Sequence, residues 1–169
     1  MAAAITVISD TSPLRYLTAI GRTDLLKNIF RHILIPRGVE EELMHASAPD
    51  RTRRWMRRRP DWLEVRDLSS PPKSDLARRP DPGEAEATQL AIDLHADFLL
   101  IDERRERRMP VGRGVAVIGA LGIVLRSYRQ GRVEDPMQIL EELRAARFRV
   151  SPRLARSFEE QIRLIKDAR

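Results

Sequence analysis

The sequence predicts an α/β fold in which a parallel sheet carries helices on both faces. Three observations point there. The opening run Ala4-Ile5-Thr6-Val7-Ile8 is short, β-branched and apolar in the manner of a strand buried on both sides. Similar runs recur at 32–35, 98–101 and 115–118. Between them lie stretches whose apolar residues repeat at helical spacing. At 169 residues with 42% hydrophobic content, the chain can bury one sizeable core, and a second full domain is not expected.

Each element has its own signal. The first strand ends in Ser9-Asp10-Thr11-Ser12-Pro13, which joins helix-capping side chains to a proline suited to a first turn. Leu14, Leu17 and Ile20 then give a helical stripe that Gly21 stops. A second helix covers 23–30 with Leu25, Leu26 and Ile29 inward. Strand 32–35 is closed by Pro36, and Val39, Leu43 and Met44 mark one face of the next helix. Residues 46–59 include the run Arg51-Thr52-Arg53-Arg54-Trp55-Met56-Arg57-Arg58-Arg59, whose small apolar face predicts a peripheral, frayed helix. Trp62-Leu63-Glu64-Val65 alternates like an edge strand, and the proline-rich stretch 67–82 reads as an irregular loop. Clear patterns resume with a helix over 83–95, a strand over 98–101, a short Arg-rich helix, a strand over 115–118 and a helix over 121–128. Apolar stripes over 137–146 and 154–165 predict two closing helices, whose stripes serve core or dimer packing, or a groove for a partner segment.

Charge and cysteine usage narrow the function classes. The chain carries 31 Lys and Arg against 25 Asp and Glu, hence +6, and all but Lys27, Lys73 and Lys166 of the basic residues are arginine. Arginine forks match phosphates, so a polyanionic partner is a reasonable expectation, although a genome's base composition also biases toward arginine. Without cysteine there is no disulfide framework, thiolate metal site or cysteine nucleophile. The N-terminus lacks the basic and long apolar regions of a signal peptide, and no apolar run reaches the roughly 18 residues of a membrane span. A cytoplasmic location and no membrane partner are therefore expected.

In a parallel sheet, ligands sit beyond the carboxyl ends of the strands. The polar residues falling there are acidic: Asp10 after the first strand, Glu42 about two turns beyond the second, Glu84 in a first helical turn, and Asp102 after 98–101. Each has a structural reading of its own. Asp10 would serve as an N-cap, Glu42 as a solvated member of Glu40-Glu41-Glu42, and Glu84 as a carboxylate complementing a helix N-terminus. Asp102, at the end of a buried run, needs a partner in either reading. Together, four converging acids repel one another unless a cation neutralises them, and an oxygen-only donor set favours Mg²⁺ or Mn²⁺.

Four ordered motifs, Val7-Ile8-Ser9-Asp10-Thr11-Ser12-Pro13-Leu14, Ile35-Pro36 through Glu42-Leu43, Asp81-Pro82-Gly83-Glu84-Ala85-Glu86-Ala87 and Leu99-Leu100-Ile101-Asp102, resemble those of the PIN domain family. The likeness is to its small stand-alone prokaryotic branch, which includes VapC-type toxins, and it runs over about residues 5–130. It implies a three-layer α/β/α sandwich with a central, mostly parallel sheet. It also implies a metal-dependent (endo)ribonuclease leaving a 5′-phosphate and a 3′-hydroxyl, in many members the toxin of a toxin–antitoxin pair. By position, Asp10, Glu42, Glu84 and Asp102 match the catalytic acids, and Asp10, Glu84 and Asp102 would hold Mg²⁺ or Mn²⁺. Ser12, Thr11 and Glu86 would support them. The third acid is commonly Asp in toxin members, whereas Glu84 stands here with Glu86 beside it; Glu41 and Glu103 are further neighbours. The expected partners are RNA, a cognate antitoxin and a second copy in a homodimer. Residues 1–135 would form the nuclease domain and 136–169 a helical extension packed on it.

Arg104, Arg105, Arg107 and Arg108, close to Asp102 in sequence, are candidate RNA-backbone contacts, while 51–59 reads as a solvated face or as a second such surface with Trp55 stacking. His32, His45 and His95 share no metal-ligand spacing, and Gly112-Arg113-Gly114 is too short for a phosphate loop. Two rival functions remain: a catalytically weak nucleic-acid-binding module of the same fold, and another acidic-site enzyme such as a phosphatase. Asp10-Thr11-Ser12 lacks the second Asp that a haloacid-dehalogenase nucleophile motif would carry.

Overall fold

The computed structural model describes residues 4–78, 81–102 and 114–169. Five strands form one sheet: β1 (Val7–Ser9), β2 (Ile33–Ile35), β3 (Leu63–Val65), β4 (Phe98–Leu100) and β5 (Ala116–Ile118). Their order is β3-β2-β1-β4-β5 and every pair is parallel. The register sets Ser9 opposite Leu100 and Ile8 opposite both Leu34 and Leu99. Val7, Ile8, Ile33, Ile35, Leu99 and Leu100 are all buried, which is why these runs show no polar alternation. β3 lies at the sheet edge, as its half-polar pattern predicts.

The chain builds outward from β1 to β2 and β3, then returns to place β4 and β5 on the opposite side. The carboxyl ends of β1 and β4 therefore flank the topological switch point, where an open parallel sheet leaves a crevice for ligands. Helices α1 (Thr11–Ala19) and α2 (Asp24–Phe30) follow β1; α3 (Arg37–Met44) and α4 (Asp50–Arg57) follow β2; α5 (Ser74–Ala77) and α6 (Pro82–Asp93) connect β3 to β4. The helices α7 (Ala120–Arg129), α8 (Pro136–Ala145) and α9 (Pro152–Asp167) complete the chain. The Arg-rich helix expected after Asp102 lies outside the described residues.

Three helices begin earlier than their apolar stripes indicate, for one reason. Asp81, Asp135 and Ser151 each accept a backbone N–H as N-cap, and the proline that follows each is tolerated at the first helical position, where its missing N–H costs nothing. The C-terminal helices share the main core. Leu140 and Leu143 of α8 and Phe158 and Ile165 of α9 join the same buried cluster as Ile8 and Leu99, with α8 and α9 packed on α7. Among the described residues no helix is long and apolar enough to cross a membrane.

Two expectations need correction. The stretch 67–82 is not wholly irregular: it contains α5, a four-residue turn too short to show periodicity, and Lys73 N–H donates to the buried Gln89 side chain of α6 (3.0 Å). The helix over 46–59 is not frayed either. α4 packs on α1 and α3 through Met56 and Thr52, and the hydroxyls of Thr52 and Thr18 share a buried 2.7 Å hydrogen bond. Replacing Thr52 with valine is expected to destabilise the chain by about 1 kcal/mol, and adding Thr18→Val to cost less than the two single changes together, because each single change already removes the shared bond and leaves the other hydroxyl only its contact with the Arg15 carbonyl. Urea unfolding of the two single variants and the double variant checks this.

Candidate metal centre

Asp10 enters the site from the end of β1. Its backbone N–H donates to the Leu100 carbonyl (2.8 Å), which pins it against β4 at the switch point. It occupies the N-cap position of α1, yet its side chain makes no cap hydrogen bond. The carboxylate is 1% exposed, and Oδ1 is buried without a hydrogen-bond partner. Burial pushes the Asp10 pKa up to about 8; the Thr11 backbone N–H opposes the shift, and the charges of Asp81, Glu42 and Glu84 add to it.

Glu42 arrives from the last turn of α3. Its Oε1 accepts from the Gly83 backbone N–H (2.9 Å), and its Oε2 accepts from the Thr11 hydroxyl. Partial burial raises its pKa. The Thr11 and Gly83 bonds work against that rise, and the Asp81 carboxyl, near in charge and hydrogen-bonded to it, works with it. Gly83 permits this close approach: a Cβ there would lie 2.6 Å from Glu42 Oε1 and would displace that carboxylate.

Asp81 is an acid of the site that lies outside the four marked by the motifs. As N-cap of α6 it accepts from Glu84 N–H (3.1 Å) while its carboxyl also meets Glu42. Asp10, Glu42 and Asp81 each offer an oxygen within 4.8 Å of the other two. The available signal was Asp81-Pro82, an N-cap followed by a proline at the first helical position, immediately before Glu84.

The other expected acids take distinct places. Glu84, 6% exposed in the first turn of α6, contributes negative potential at Asp10 but stands outside that three-oxygen group. Half-buried Asp102 follows β4 at the same sheet edge, next to Ile101, whose N–H donates to Ile118; it too is outside the group. Glu86 accepts the Gly38 N–H (2.8 Å) near the start of α3, so it ties α6 to α3. Thr11 orients Glu42, and Ser12 is half-buried in the first turn of α1. Arg104, Arg105, Arg107, Arg108 and Glu103 lie outside the described residues.

The donor set fits a hard divalent cation. All three groups are carboxylates, their spread is within reach of one ion, and the unpartnered Oδ1 of Asp10 lacks the hydrogen bond that a purely structural buried acid would need.

An open, all-parallel sheet with a carboxylate cluster at its switch point defines a class of hard-metal α/β proteins. A family model described as a PIN domain matches residues 6–163, and the chain belongs to the PIN-domain family. PIN domains are generally metal-dependent nucleases, and the match extends through most of α9. Comparisons with curated proteins and with solved structures found no match.

Proposed function

We propose that this chain is a metal-dependent ribonuclease that hydrolyses RNA phosphodiester bonds, acting in the cytoplasm as the toxin of a toxin–antitoxin pair and as a homodimer. The single observation that supports the catalytic reading best is the buried Asp10 carboxylate, with one oxygen unpartnered and Glu42 and Asp81 gathered beside it at the sheet's switch point. The RNA substrate, the antitoxin and the dimer rest on the motif resemblance.

In this reading Asp10 and Asp81 hold the cation together with Glu42, while Glu84 and Asp102 extend the acidic field along the same edge. When bound, Mg²⁺ or Mn²⁺ supplies a water of lowered pKa and neutralises charge developing on the phosphate. Thr11 and Gly83 keep Glu42 turned toward Asp10 and Asp81. Arg104, Arg105, Arg107 and Arg108 contact the RNA backbone.

Cleavage of a panel of structured and single-stranded RNAs tests this reading, with Mg²⁺, with Mn²⁺ and with EDTA. Wild type is expected to cut only with metal, and folded Asp102→Asn protein to lose most of that activity. Equal cleavage by wild type, Asp10→Asn and Asp102→Asn would show a contaminating nuclease. RNA binding without cleavage in any metal would favour the binding-module alternative. Induced expression should arrest growth with wild type and not with Asp10→Asn if the toxin reading holds.

A further inference from the structure

Helix α4 divides its side chains sharply. Thr52 and Met56, four residues apart, are buried against the rest of the fold. Arg51, Arg54, Trp55 and Arg58 follow the i, i+3, i+4, i+7 spacing of one outward stripe. With Arg57 they line a concave surface of about 650 Å³.

Two of the three acids near this stripe are already engaged. Asp50 is bonded to Arg53 and acts more weakly, through charge alone, on Arg54 and Arg57, and Glu40 is held by Arg59 and Arg37. The third, exposed Glu41, lines an adjoining hollow together with Arg57 and Arg58. Arg51 has a structural task, donating to the Ala19 carbonyl at the end of α1 (3.4 Å). Arg54, Arg57 and Arg58 are exposed, and among the described residues their guanidinium groups have no ion pair. Trp55, half-buried, meets Trp62 with ring centroids 5.9 Å apart, so an aromatic surface is fixed in place among these charges.

Like charges at helical spacing repel one another, and an anion laid along the stripe relieves that repulsion. Arginine forks beside a fixed aromatic ring suit an occupant with repeated phosphates and flat bases. We propose that the outward face of α4 binds a single-stranded RNA segment through its phosphate backbone, with Arg54, Arg57 and Arg58 as the phosphate contacts and Trp55 as a stacking surface. The choice of RNA as the strand rests on the ribonuclease reading. The surface itself is built from elements other than the carboxylate cluster, so it serves as a second anchoring point for a long substrate.

Binding is measured by fluorescence anisotropy with a labelled oligouridylate in EDTA, where no metal-dependent cleavage occurs. Charge removal at three exposed positions, Arg54→Gln with Arg57→Gln and Arg58→Gln, is expected to weaken binding by about tenfold or more and to make the log-log salt slope shallower by about 2. The matched triple change on α9, Arg153→Gln with Arg156→Gln and Arg163→Gln, removes the same net charge and should bind as wild type does. Arg54→Lys with Arg57→Lys and Arg58→Lys should preserve the salt slope, which guards against a misfolded glutamine variant, as do matching thermal melts. Equal losses from the α4 and α9 changes would overturn the proposal in favour of unspecific attraction. Polyglutamate competing as well as RNA at equal charge would overturn it in favour of an acidic protein partner. Because binding is read without metal, loss of this surface's role leaves the nuclease reading intact, and an inactive nuclease leaves the binding result intact.

Discussion

In chelating buffer at pH 8, the Asp10→Asn protein is expected to melt several degrees above wild type, and added Mg²⁺ or Mn²⁺ to stabilise wild type alone. An Asp at its ordinary value of 3.8 is ionised at neutral pH, whereas Asp10 in the fold is pushed up to about 8 by removal from water and by the neighbouring acids. The folded chain therefore binds a proton that the unfolded chain releases. Its stabilising contribution is complete below pH 3.8 and is lost progressively as pH rises to about 8. Glu42, also shifted upward, acts with the same sign. Asparagine keeps the shape and removes the titration, so its melting temperature should lack this fall with pH. For a chain of this size each kcal/mol corresponds to roughly 2–4 °C. A cation bound only by the folded state adds about 2.7 kcal/mol at a hundred times its Kd, and the variant forgoes this. Its metal-dependent cleavage should fall by at least about 100-fold, since losing even an outer partner of a metal ligand costs 10–100-fold. Scanning calorimetry across pH, with and without metal, reads both effects. A wild-type melting temperature flat from pH 4 to 8, with no response to metal, would remove the physical basis for the site.

The strand-end positions of Asp10 and Asp102 were legible from sequence because a continuous apolar run that stops at a carboxylate marks the end of a buried parallel strand, and the structure brings Asp10, though not Asp102, into the carboxylate group. Asp81 was harder to see. It lies among prolines, and its inclusion depends on Gly83 letting α3 approach closely enough for Glu42 to meet the α6 N-terminus. No local pattern reports such an approach between elements. Glu84 and Glu86 posed a different problem: two residues apart on a helix, they point about 200° apart, so only the placement of α3 decides their roles. Gly38 N–H claims Glu86, and Glu84 lends its field to Asp10. The burial of α4 leaves no periodic signal because it rests on two positions, Thr52 and Met56, one of them polar and satisfied by Thr18 and the Arg15 carbonyl of another helix.

Gly83→Ala is expected to leave the fold as stable as wild type, or slightly more so, while lowering metal-dependent cleavage about tenfold or more, the scale at which displaced supporting contacts act on metal sites. Gly83 is the second residue of α6, and its backbone is not in the left-handed region, so alanine can adopt the same conformation. In a helix interior alanine is favoured over glycine by up to about 1 kcal/mol, and part of that preference acts in the first turn. The added Cβ would nevertheless stand 2.6 Å from Oε1 and 2.7 Å from Oε2 of Glu42. The end of that side chain can swing away more easily than either helix can move. Glu42 would then lose the Gly83 N–H and the alignment that its bond from Thr11 gives it toward Asp10 and Asp81. The two readouts separate causes. Lower stability with lower activity would mean that α6 itself was disturbed, whereas preserved melting in EDTA with weakened metal binding by calorimetry would assign the loss to Glu42. If cleavage and metal affinity both stay at wild-type levels, Glu42 does not hold the cation, and the site must be rebuilt around Asp10 with Glu84 and Asp102.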